Sequence, residues 1–177
     1  MDHLYLNTIA FPVLRGELCG GRDTTTDYRW SIEIHCGESP QLDYRNWPDE
    51  REEQPLDWLA GLEPFLYAQM LPLRVASPEE LVGRSYSFPQ TPDDDPPNWP
   101  QGIGWPFFSL YLMEHAWAHP MRVTFIERRG QQYRVEIVGG YLDSGVVYDL
   151  RVTAWLNWLD EEAEPHAGAD RGHGSDS

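Results

Sequence analysis

The sequence predicts a mainly β domain, or an α+β domain with short helices, whose antiparallel sheet forms a sandwich or half-barrel. Three observations carry this. Apolar and polar residues alternate along several segments, the period of a strand with one face buried. Helix signals are few and short. Hydrophobic residues make up 41% of the chain and aromatics 13%, enough apolar surface for a packed core despite the heavy charge. At 177 residues the chain fits one domain, read here as residues 1–159, followed by a disordered acidic tail over 160–177.

Taken in order, Leu4–Leu14 reads as a strand, broken at Pro12 and therefore placed at a sheet edge. In Tyr28–Cys36 the residues Tyr28, Trp30, Ile32, Ile34 and Cys36 alternate strictly with polar ones, which marks a half-buried strand. Gly37–Pro55 reads as a long surface loop holding Asp43, Asp49, Glu50, Glu52 and Glu53. Asp57–Met70 is ambiguous, because Pro64 divides it. Ser77–Gly83 reads as a short helix with Ser77 as N-cap, Pro78 in the first helical position and Gly83 as the stop. Arg84–Phe88 is a short strand closed by Pro89.

A second long loop, Pro89–Pro106, carries Asp93, Asp94, Asp95, Trp99 and Trp105. The apolar residues of Trp105–His119 fit both periods, and the aromatic context favours a strand. Met121–Glu127 and Gln131–Val138 flank Arg128-Arg129-Gly130 and read as a hairpin. Tyr148–Trp158 is a long strand. The alternation puts Trp30, Ile32, Ile34, Phe125, Val135, Ile137, Leu150, Val152 and Leu156 in the core.

Charge bears on partners. The chain has 29 acidic residues against 13 basic ones, a formal charge of −16, and every basic residue is arginine. A GC-rich genome accounts for the arginine bias. The missing lysine removes Schiff-base and Walker-type chemistry. The tail carries six acids and one arginine, so most of the excess resides on the body. Such a surface repels nucleic acid and anionic lipid and attracts a basic protein. Met1–Ala10 lacks a signal-peptide pattern, and no apolar run reaches membrane-spanning length. Cys19 and Cys36 have no Cys-x-x-Cys spacing and are expected reduced and at least half-buried. These features fit a cytoplasmic protein.

Catalytic signatures are missing from the sequence. Asp93-Asp94-Asp95 is followed by two prolines and lacks the spacing of a calcium loop. Glu114-His115-Ala-Trp-Ala-His119 sets two histidines four apart, but the glutamate precedes the first, unlike a zinc protease helix, and Pro120 ends the segment. No nucleophile elbow or phosphate loop occurs. The expectation is a non-enzyme with no cofactor and no metal.

The loop tryptophans Trp47, Trp99 and Trp105 stand among prolines and acids. Each either folds back onto the core or anchors an interface. Acids around aromatics suit a binder of a basic partner. In size, acidity and acidic aromatic loops such as Asp93-Asp94-Asp95-Pro-Pro-Asn-Trp99, the chain resembles the immunity proteins of bacterial toxin systems. That resemblance implies a protein-binding inhibitor that covers a toxin's active site. The partner-binding candidates are Asp93, Asp94, Asp95, Trp99, Trp105, Asp49, Glu50, Glu52 and Glu53. An anti-defence inhibitor or nucleic-acid mimic, and an enzyme or small-ligand domain, are the competing readings.

Overall fold

The computed structural model describes residues 2–20, 30–48, 51–54, 56–71, 73, 75, 77–88, 107–113, 115–143 and 146–160. Within them are nine strands: β1 (His3–Leu6), β2 (Ile9–Gly20), β3 (Trp30–Cys36), β4 (Phe65–Leu71), β5 (Ser85–Phe88), β6 (Phe107–Tyr111), β7 (His115–Arg129), β8 (Gln132–Asp143) and β9 (Val146–Asp160). No α-helix occurs among the described residues, only short 3₁₀ turns. The strands form one sheet in the order β5-β7-β6-β4-β3-β2-β1-β9-β8, and β7 also pairs with β8. The sheet therefore curls into a half-barrel, with the long β7 shared between its two ends. Pairing is antiparallel except between β2 and β9.

The core fills the concave face. All nine residues expected there are buried, from Trp30 at 5% exposure to Ile32, Ile34, Phe125, Val135, Ile137, Val152 and Leu156 at 0%. Cys36 is buried, Cys19 is half-buried, and neither forms a disulfide. Burial pushes the Cys36 thiol pKa up to about 12, since the thiolate would lose its hydration there.

Three segments differ from the sequence reading. Leu4–Leu14 is not one edge strand. Asn7, at φ 51°, turns the chain, and β1 and β2 form a hairpin with Leu6 opposite Ile9. Pro12 is tolerated inside β2 because it faces the end of the β2–β3 ladder. There its carbonyl accepts the Gly37 N–H at 2.9 Å, and no proline N–H is needed. Pro120 does not end a segment either. β7 runs through it, with a register shift against β8 between Ala118 and Met121. A bulge of this kind absorbs a residue that cannot donate to the ladder. Gly139 lies opposite, and a Cβ on it would overlap the Pro120 carbonyl oxygen and the Met121 sulfur.

The Ser77–Gly83 segment makes a 3₁₀ turn, Pro78–Leu81, instead of an α-helix. The Ser77 side chain does not cap it; the hydroxyl bonds the Glu79 carboxylate instead. Gly83 stops the turn at φ 81°, as its position predicts. The ambiguous stretches resolve toward strand. Asp57–Leu59 is a 3₁₀ turn leading into β4, and β6 and the start of β7 occupy most of Trp105–His119.

Strand β1 is only four residues long and lies antiparallel to both β2 and β9. Beyond its N-terminal end β2 and β9 close directly on each other, from Glu17 opposite Asn157 to Gly20 opposite Asp160. Gly16 sits at this fork. A Cβ there would lie 2.7 Å from both the Trp155 carbonyl oxygen and a Leu156 methyl.

Candidate partner-binding surface

The acidic segment between β3 and β4 is the part of the expected partner-binding surface that the structure describes. Residues 38–63 contain eight acids and two arginines. Two turns open the segment. Ser39 caps Pro40–Leu42 by accepting the Gln41 N–H at 3.3 Å, and Asp43 caps Tyr44–Asn46 by accepting the Arg45 N–H at 3.2 Å. Such short polar side chains favour turns because they offer the backbone local acceptors. Leu42 and Leu59 then insert into the core and pin the loop at two points. Gly61 follows at φ 73°, close beneath the Tyr44 ring.

Between these pins lies a three-residue clamp. The Arg51 guanidinium rests 3.6 Å above the Trp47 ring and donates to both carboxylate oxygens of Asp57 at 2.8 Å. Asp57 also accepts the Gln54 backbone N–H at 2.6 Å. Its side chain is only 6% exposed. Burial alone would raise the Asp57 pKa. The Gln54 N–H and Arg51 outweigh it and hold the carboxyl below its ordinary range. The stacked, bidentate geometry suits the planar guanidinium and would not suit an ammonium.

Trp47 is thus folded back against the core, the first of the two fates open to the loop tryptophans. Together with Pro48, Arg51, Glu53, Asp57 and Trp58 it lines an open cleft of about 310 Å³. Both arginines of the segment face acids of the same segment, Arg51 on Asp57 and Arg45 on Glu38. Glu52 and Glu53 are exposed and make no ion pair among the described residues. The surface presented outward is therefore anionic, on a loop held at both ends.

The remaining candidates Asp93, Asp94, Asp95, Trp99, Trp105, Asp49 and Glu50 lie outside the described residues, as does the 161–177 part of the tail. Their place relative to Glu52 and Glu53 is not part of the described structure. His115 and His119 belong to β7, so the helical two-histidine arrangement does not form; their side chains are likewise outside the described set. Among the described residues no cluster of three or more His, Cys, Asp or Glu could hold a metal ion. No helix there is long and apolar enough to cross a membrane.

Sequence reading did not find Arg51, Asp57 or Trp58. The available signal was local, a tryptophan four residues before an arginine and an aspartate six residues after it. Comparison with known proteins finds no matching family model, no matching curated protein and no matching solved structure.

Proposed function

We propose that this chain is an acidic protein-binding inhibitor of the immunity type, which neutralises a cognate toxin by covering its active site. The supporting observation is the clamp in the 38–63 loop. It neutralises Arg51 internally, holds Trp47 and Asp57 in place and leaves Glu52 and Glu53 facing solvent. Side chains fixed before binding lose little conformational freedom on docking. Its exposed carboxylates would steer a basic partner at distances set by the Debye length, about 8 Å at physiological salt. Asp93, Asp94, Asp95, Trp99 and Trp105, with Asp49 and Glu50, complete the candidate contact set. A cytoplasmic location and a bacterial source belong to the same proposal.

The test is affinity capture from the source organism at low and moderate salt, followed by association kinetics with the identified partner. A basic partner is expected, whose association slows with salt and with Glu52→Gln/Glu53→Gln or the Asp93–Asp95 asparagine variants. Trp99→Ala, if folded, should mainly speed dissociation and cost about 2 kcal/mol or more. Salt-independent association, unchanged by those substitutions, overturns the proposal.

A further inference from the structure

The cleft lined by Trp47 and Trp58 already takes up one guanidinium. Trp47 supplies an indole face and Asp57 two carboxylate oxygens, and Arg51 meets them at 3.6 Å and 2.8 Å. The same lining repeats both kinds of group. Trp58 is a second half-buried indole, and among the described residues no arginine stacks on it. Glu53 is a second carboxylate, exposed and without an ion pair among the described residues. The groups that hold Arg51 thus recur, unoccupied, around one open cleft.

Charge and size decide what enters. Arg51 and Asp57 cancel each other, which leaves the lining with the single negative charge of Glu53. An anion finds no unpaired cation there. The volume of about 310 Å³ lies at the lower end of small-ligand sites, about 300–1,000 Å³, and suits one side chain rather than a whole helix. We propose that the cleft receives one arginine side chain of a partner protein. Its guanidinium stacks on the Trp58 indole and donates to the Glu53 carboxylate. A planar, weakly hydrated guanidinium gains more from an indole than a compact ammonium does. Arginines seated in such pockets are among the side chains that dominate interface energies. The inference rests on the proposed function and names the anchor that its acidic loop would receive.

The test is NMR titration of the full chain, reading the indole N–H signals of Trp47 and Trp58. The probes are the N-acetyl amides of arginine, citrulline and lysine. Citrulline keeps the planar shape without the charge, and lysine keeps the charge without the plane. The arginine amide should shift the Trp58 signal saturably, with a millimolar dissociation constant, the weak end of the affinity scale. The citrulline and lysine amides should each bind about threefold more weakly or worse, the scale of one exposed ion pair or stacked cation. Glu53→Gln should bring arginine down to the citrulline level. Glu52→Gln removes a neighbouring charge outside the cleft lining and should change binding by less than about twofold. Both side chains are exposed, so the variants should keep the wild-type near-ultraviolet circular dichroism. No saturable shift at Trp58, equal binding of the three amides, or equal effects of the two glutamine variants overturns the arginine pocket. Any of these leaves the proposed function standing, because steering needs only exposed carboxylates. Salt-independent association of the natural partner, with arginine binding intact, overturns the proposed function and leaves the pocket.

Discussion

Asp2 and Trp155, 153 positions apart, are joined directly: the Asp2 carboxylate accepts the Trp155 backbone N–H at 3.0 Å. The same carboxylate lies 3.5 Å from Arg134 on β8, while the Asp2 carbonyl accepts the Val13 N–H on β2 at 2.9 Å. One residue therefore serves three strands at the fork where β1 ends. It occupies the place where a longer β1 would have offered its backbone to β9.

Asp2→Ala leaves the part-buried Trp155 N–H without this acceptor. The expected cost is about 1–2 kcal/mol, and for a chain of this length Tm should fall by roughly 2–8 °C. Asp2→Asn keeps an acceptor oxygen and should recover most of the loss. Urea denaturation of the two variants checks this. An Asp2→Ala protein as stable as wild type would show that the fork is held by Gly16 packing alone.

Gly139→Ala should cost about 2–4 kcal/mol, because the new methyl meets backbone at Pro120 that cannot swing aside. Gly130 provides the comparison. It adopts φ 60° in the β7–β8 turn with open space around its Cα. Gly130→Ala should lose only about 1 kcal/mol, through backbone strain. Equal costs for the two substitutions would contradict the bulge packing.

Glu79 should titrate at about 2. Its own backbone N–H contributes most, followed by the Ser77 hydroxyl and Arg128. Since the folded pKa is depressed, the stabilisation is present above the ordinary carboxylate range and is lost as pH falls toward 2. Arg128→Ala should raise the Glu79 pKa only part of the way to the ordinary value, because the two hydrogen bonds remain. Carbon-detected NMR titration of the carboxyl measures both values. Full normalisation in Arg128→Ala would assign the shift to the ion pair alone.

Alkali should unfold the protein early. Burial raises the pKa of Cys36 to about 12 and raises those of Tyr67, Tyr86 and Tyr133 as well. An acid whose folded pKa is raised stabilises the fold fully below its unfolded pKa. That contribution disappears as pH climbs from the ordinary thiol and phenol range toward the folded values. Stability measured from pH 8 to 11 should fall continuously. Over the same range a thiol reagent should modify Cys19 before Cys36. Prompt labelling of Cys36 in the folded chain would contradict its burial.

The legible parts of this fold were those set by short-range pattern. Ile32 and Ile34 announce β3 because each neighbour on the chain is polar, and Gly130 announces the β7–β8 turn because the residue must adopt positive φ. The first hairpin was harder. Asn7 and Thr8 are a weak turn signal inside a run that alternates on both sides, and Pro12 drew attention to the wrong break. The clamp was harder still. Arg51 and Asp57 meet because the loop between them folds, and no periodicity encodes that contact. Glu52 and Glu53 could be picked out as acids, while their outward position depends on which neighbouring acids Arg45 and Arg51 take up.

The insertion of β1 between β2 and β9 also orders events in time. Residues 3–6 are made well before their partners at 150–153 emerge from the ribosome. At about 5–20 residues per second, that leaves β1 and the adjoining half of β2 without their final neighbour for about 7–30 s. Throughout that interval their backbone donors and acceptors form an open template for any other nascent strand. Crowded synthesis, such as strong overexpression, should therefore send this chain toward aggregates even though β1 lies between two partners in the finished sheet. Slower initiation, or a chaperone that holds the first 20 residues, should restore the yield.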